Sequence, residues 1–307
     1  MEFKNILIGH ADNEATGVTV ILAPQGVTAG ACVRGAAPGT RETDLLRPEK
    51  TVDKINAVVL SGGSAFGLDS CSGVMRRLHE KNCGFDTGIA RVPIVSGAVL
   101  FDLVSGALNF PDAAMGYRAC VNAKELSFKN GLPQGIKTGA AGAGKGARCG
   151  RVLGAGASSP AGIGFACIEA GGTAVAAVIA VNALGDVYDN ATGKILAGAR
   201  AENGGFLDSA AFVLSGGLMK LKEQLKGGTN TVIGAVITNA KLSKLECNKL
   251  AEYAHEGITL SVRPAHTELD GDTIFAMSAG EQAAEFNTLC AMAAEAVRQA
   301  VLNSVKK

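Results

Sequence analysis

The sequence has no tryptophan, few aromatic residues of any kind and no surplus of charge. Phe, Tyr and Trp make up 5% of the chain, and 29 Lys+Arg are set against 28 Asp+Glu. A protein that neutralises a phosphate backbone needs a basic excess, so nucleic acid is excluded as a partner. The eight cysteines form no C-x-x-C pair and lie scattered in apolar stretches, which reads as core thiols of a reducing cytosol rather than disulfides. A long apolar run is also missing. The uncharged stretch Ala170 to Gly185 is 16 residues and includes Gly, Thr and Asn, short of the roughly 20 apolar residues a spanning helix needs. It reads as buried strand, and no membrane partner is expected. The opening MEFKNILIGHADNEATG lacks the basic-then-apolar order of a secretory signal, so a cytoplasmic location is expected. Only eight prolines accompany the 41 glycines, with no G-X-Y period, which excludes collagen. Glycine in such excess points to tight turns and close backbone approaches.

Of the 307 residues, 47% are hydrophobic and 19% charged, which describes a globular chain of one large domain or two small ones. Val18–Ala23 and Val27–Val33 read as strands separated by a turn at Pro24-Gln25-Gly26. Ala57–Leu60 is a short apolar run, followed by a helical stripe from Phe66 to Leu78. Residues 132–156 read as a long loop, and strands are expected over 162–168 and 173–181. Thr231–Asn239 is apolar on both alternations, as a central strand covered on both faces should be. Helices are expected from Ser243 to Gly257, with glycine as the stop, and over about 281–304, flanking a strand at Thr273–Met277. Strands and helices alternate in groups, which favours a layered α+β fold over a doubly wound sheet.

Several local motifs nearly match known chemistry and fail on one residue each. Gly139-x4-Gly144-Lys145 resembles a phosphate-binding loop, but Gly146 stands where a Ser or Thr must reach Mg²⁺. Gly63-Ser64-Ala65-Phe66-Gly67 lacks the glycine two residues after the serine that a nucleophile elbow requires. The four histidines, at 10, 79, 255 and 266, have no i, i+4 pairing, so no zinc site is expected. Asp270-Gly271-Asp272 could open a calcium loop but lacks the later acidic positions.

One constellation survives. Gly227-Gly228-Thr229-Asn230-Thr231 sits directly before the most apolar strand. By periodicity alone, a threonine opening a buried strand is ordinary. The chain, however, resembles the DmpA-type aminopeptidase family of L-aminopeptidase/D-esterases, β-peptidyl aminopeptidases and nylon-oligomer endo-hydrolases. The resemblance is carried in order by VVLSGGSAFG (58–67), VPIVSGAVLFDL (92–103), 140–151, AVNALGD (180–186), NTVIGAVITN (230–239) and HTELDGDTIFA (266–276).

This resemblance implies a four-layer αββα sandwich, of the kind shared with ornithine acetyltransferase, built by residues 1–307 as one autoprocessing domain. It implies self-cleavage between Asn230 and Thr231 into chains 1–230 and 231–307, with Thr231 as nucleophile. The freed α-amine, with an ordinary pKa of about 7.7–8, would take the hydroxyl proton, so no histidine base is needed. Gly227 and Gly228 would relax the backbone before the cleaved bond. Asn182 matches the oxyanion-binding asparagine, and Asp270 and Asp272 match a polar pair that orients the nucleophile or holds a substrate amine. Arg151 falls where the nylon-hydrolase branch has Lys. Phe101 stands where aminopeptidase members tend to have Tyr, and the two aspartates resemble the nylon-hydrolase branch more than the Ser/Glu pattern of the β-aminopeptidases. The implied substrate is a small peptide or amide, with no metal or organic cofactor and a homo-oligomer of four or more copies. Two other readings stand beside it: an acyltransferase of the ornithine-acetyltransferase kind, and an uncleaved binding or scaffold protein.

Overall fold

The structure is a computed structural model; it describes residues 1–103, 108–202, 204–221 and 229–306. The principal strands are β1 (Glu2–Asp12), β2 (Gly17–Val33), β3 (Lys54–Ser61), β4 (Val95–Val99), β5 (Lys124–Lys129), β6 (Ile163–Ala170), β7 (Thr173–Asn182), β8 (Thr231–Ala240) and β9 (Thr273–Gln282). The principal helices are α1 (Ser70–Glu80), α2 (Ala113–Val121), α3 (Lys244–Thr259) and α4 (Phe286–Asn303). Hydrogen bonding runs β6-β7-β8-β9-β2-β1-β5, and β3 joins β2 to β4. The β8–β9 and β3–β4 pairs are parallel; the other pairs among these strands are antiparallel.

The period-2 alternation of the strands builds the layers. Along β7, Val175, Ala177, Ile179 and Val181 face one way, into a core completed by Leu250, Ala254 and Ile258 of α3 and Ala293, Val297 and Val301 of α4. The intervening Ala174, Ala176, Val178 and Ala180 face the other way and meet Ile6 and Ile8 of β1, Ile21 of β2 and Val58 and Leu60 of β3. Beyond that second sheet, Val18, Val20, Ala57 and Val59 pack on Cys71 and Val74 of α1 and Met115 and Ala119 of α2. Helices, sheet, sheet and helices thus stack as an αββα sandwich with three apolar seams. β8 lies between β7 and β9, with Val232 and Val236 in the first seam and Ile233, Ala235 and Ile237 in the second. That is the central, doubly covered position its sequence pattern predicts.

The expected turn at Pro24-Gln25-Gly26 does not separate two strands. β2 runs unbroken through it, with Gly26 at φ 77° and a register shift against β3 between Leu22 and Val27. Its first half pairs with β1 and β3, and residues 28–33 pair with β9, so one bent strand belongs to both sheets. A glycine with positive φ and a proline lacking an N–H suit such a bulge.

Two helix ends also differ from expectation. α3 starts as expected, with Ser243 and Glu246 forming a reciprocal capping box, but continues past Gly257 to Thr259. Gly257 serves instead as a contact: a Cβ there would lie 2.3 Å from the carbonyl oxygen of Ala294 on α4. α4 begins at Phe286 rather than near 281, because β9 extends to Gln282 and Glu285 caps the helix by accepting from the N–H groups of Asn287 and Thr288. No helix among the described residues is long and apolar enough to cross a membrane.

Candidate active site

The ends of three adjacent strands converge on Thr231. It is the first residue of β8, and its antiparallel partner in register is Asn182, the last residue of β7. On the other side, Asn230 forms a parallel bridge with Asp270, and Asp272 immediately precedes β9. Sheet register alone therefore gathers groups that lie far apart in sequence. All are buried: Thr231 is 3% exposed, Asn182 0%, Asp270 2%, Asp272 1% and Arg151 7%.

The Thr231 hydroxyl donates to the carbonyl oxygen of Asn230, the residue before it. That same oxygen accepts the backbone N–H of Gly271 at 3.1 Å. The Asn230 carbonyl oxygen thus carries two donors, the Thr231 hydroxyl and the Gly271 N–H.

Asn182 is fixed at both ends of its amide. Its Oδ1 accepts from Arg148 N at 3.1 Å and from Arg151 Nη1 at 3.1 Å. Its Nδ2 donates to Phe101 O at 2.9 Å and, at a longer 3.4 Å, to Thr229 O. With donors on the oxygen and carbonyls at the nitrogen, the network admits one amide orientation.

Arg151 opens a single 3-10 turn (Arg151–Leu153), tied to the turn after β7 by Arg151 N–H donating to Leu184 O at 2.8 Å. Its Nη1 also donates to Phe101 O at 3.0 Å. Burial, with Arg148 nearby, lowers its pKa to about 10, so it stays a cation at neutral pH. Phe101 enters this network through its backbone carbonyl; its side chain is half-buried.

The two aspartates take different roles. Asp270 Oδ2 accepts from Thr267 N at 2.9 Å and Thr267 Oγ1 at 2.6 Å. Burial, then the neighbouring Asp272, raise its pKa above the usual carboxylate range. Asp272 Oδ1 accepts the N–H of Val232, the residue after Thr231, at 2.6 Å. Its Oδ2 meets His266 Nδ1 at 2.7 Å and His266 N at 3.3 Å.

Every site residue named from the sequence therefore lies in one network. Gly271 and His266 are additions. The absence of i, i+4 spacing removes His266 as a zinc ligand, yet a loop brings it onto Asp272 without any periodic spacing. Gly271 acts through its main chain, which a side-chain motif does not display. Gly227 and Gly228 lie outside the described residues.

The model of peptidase family S58 matches residues 3–307. An uncharacterized aminopeptidase of Mycobacterium leprae is 42% identical over 269 residues, spanning 87% of this chain and 71% of its own. The 6-aminohexanoate-oligomer endohydrolase of a Kocuria strain is 29% identical, over 99% of this chain and 85% of its own. Among solved structures, the L-aminopeptidase D-Ala-esterase/amidase of Ochrobactrum anthropi, a variant among the Ntn hydrolase fold, superposes with a TM-score of 0.68 at 17% identity, over 98% of this chain and 84% of its own. The chain belongs to peptidase family S58 and is a hydrolase of peptide or amide bonds.

Proposed function

We propose that the chain cleaves itself between Asn230 and Thr231 and then hydrolyses short peptides or amides through an acyl ester on Thr231. The observation that carries this reading is the Thr231 hydroxyl set against the Asn230 carbonyl, whose oxygen already holds the Gly271 N–H. In the first reaction the hydroxyl oxygen adds to the Asn230 carbonyl carbon and the C–N bond breaks. This leaves an Asn230–Thr231 ester and a free amine, and water then releases the Asn230 carboxylate. The products are chains 1–230 and 231–307, which stay together because β8 remains hydrogen-bonded between β7 and β9.

In turnover, the new amine takes the hydroxyl proton as Thr231 attacks the substrate carbonyl. Asn182 binds the resulting oxyanion. One hydrogen of its Nδ2 is held closely by Phe101 O, whereas the other makes the 3.4 Å contact to Thr229 O and becomes available when the segment ending at Asn230 leaves. Arg151 holds the amide from behind. Asp272, through Val232 N–H, fixes the start of β8, and Asp270 is poised to receive the Thr231 amine or a substrate amine.

The relatives' names span aminopeptidases and a 6-aminohexanoate-oligomer endohydrolase, which supports short peptides or amides as the substrate class. Eight free cysteines support a reducing, cytoplasmic setting, and the family resemblance supports a homo-oligomer of four or more copies. Denaturing electrophoresis with N-terminal sequencing tests the core claim. The expected result is a short fragment beginning Thr-Val-Ile, absent in Thr231→Ala, which should stay intact, folded and inactive. Amidase activity retained by that variant would place the nucleophile elsewhere.

A further inference from the structure

We infer that His266 is a positioning residue for the nucleophile, acting through Asp272; the inference rests on the Thr231 reading above. Asp272 is a two-ended clamp. One oxygen receives the N–H of Val232 at 2.6 Å, one residue from the reacting hydroxyl, and the other receives His266 Nδ1 at 2.7 Å and the His266 backbone N–H at 3.3 Å. At 1% exposure the carboxylate has little recourse to water, so each oxygen needs a protein donor. A carboxylate only accepts, so the proton of this contact resides on Nδ1.

Two features hold the ring to this task. His266 has φ 55°, left-handed for a non-glycine residue, and in this conformation its main-chain N–H and ring nitrogen both reach one oxygen. Behind it, His255 of α3 stands edge-to-face at 4.8 Å between ring centres. His255 is itself fully buried, with Nε2 3.1 Å from Cys32 O. A chain of contacts therefore runs from α3 through His255, His266 and Asp272 to the first peptide of β8. The charged or titratable side chains along this chain of contacts are Asp272, with Asp270 beside it, His255 against the His266 ring, and Arg34 and Cys32 at the far side of His255. Without the Nδ1 donor, Asp272 Oδ2 keeps only the longer 3.3 Å contact from the His266 main-chain N–H, which loosens the clamp on the main chain at Thr231.

The experiment compares His266→Ala, His266→Asn and His266→Gln in the full chain. Asn offers a donor at the δ position and tolerates left-handed backbone; Gln offers its donor one atom further out. Read-outs are circular dichroism, the rate at which the Thr231 fragment appears, and kcat and KM on a panel of aminoacyl p-nitroanilides and 6-aminohexanoate oligomers. Alanine should slow self-cleavage and lower kcat by about 10- to 100-fold with KM little changed, a loss of the size found when the outer-shell partner of a metal ligand is removed. Asparagine should restore most of the rate, and folded Gln should not. Wild-type kinetics in His266→Ala, or equal rates in the Asn and Gln variants, would overturn the role. If alanine prevents folding, the Asn-to-Gln comparison decides. Thr231→Ala, run in parallel, separates the two claims: activity there defeats the nucleophile assignment whatever the histidine variants do.

Discussion

At the scale of single residues, the site consists of buried polar groups that are individually costly and paired mostly with one another; Asn230 Oδ1 and His266 Nε2 are buried without a partner among the described residues. Asn182 has no exposure and makes four contacts, two at each end of its amide. If its Nδ2 is the oxyanion donor, Asn182→Ala should lower kcat by about 10²–10³-fold with KM nearly unchanged. The measurement is turnover of the amide panel by material already cleaved at Thr231. A change of less than about threefold would remove Asn182 from the chemistry. Arg151 completes the same group: its charge survives burial, and its Nη1 serves Asn182 and the Phe101 carbonyl together. This is also the scale at which the sequence was most and least informative. Thr231, Asn182, Asp270 and Asp272 are legible because they sit in contiguous blocks with a family pattern. Gly271 and His266 lie in one of those blocks, yet a main-chain donor and a loop contact leave no pattern of residue types to read.

At the scale of elements, periodicity located β2, β3, β6 to β9, α1, α3 and α4 but missed β1, β4, β5 and α2. β1 carries Glu2, Lys4 and Asn5 among its apolar positions, which obscures the alternation. α2 is only nine residues long and is set by its Asp112 cap more than by an apolar stripe. The Gly257 error shows how tertiary contact overrides local propensity. Alanine is intrinsically the better helix former by about 1 kcal/mol. Even so, Gly257→Ala should destabilise the chain, by about 1–3 kcal/mol, because its Cβ would collide with Ala294 O across the α3–α4 contact. Thermal melts of the Thr231→Ala chain with and without this change check the sign. An unchanged or higher midpoint would mean that the helices can separate without cost.

At the scale of the whole molecule, burial of titratable groups sets the response to acid. Burial lowers the pKa of both His10 and His255 from 6.5 to about 4. Between these values the unfolded chain binds protons that the folded chain refuses, so stability is full above pH 6.5 and declines as pH falls toward 4. For His255 alone the slope approaches about 1.4 kcal/mol per pH unit within that window, and His10 adds in the same direction. Asp270 works in the opposite sense. Its raised pKa favours the protonated folded form, so its contribution to stability is complete below the unfolded carboxylate value and is lost as pH rises through the folded one. Urea midpoints of the uncleaved Thr231→Ala chain from pH 7 to 4.5 should therefore fall more steeply on acidification than those of the same chain carrying His10→Gln and His255→Gln. Equal slopes would mean that water reaches both rings.

By itself the sequence determined the class of fold, the central place of the Thr231 strand and most of the side chains that could act there. Strand alternation and contiguous motif blocks are local properties, and local properties are written in residue order. Only the tertiary structure decided that β2 serves both sheets, that Gly257 is a helix contact rather than a helix stop, and that His266 and Gly271 join the Thr231 network. Each of these depends on strand register or on how closely two backbones approach. Those quantities are fixed when distant segments pack together, and no spacing along the chain encodes them.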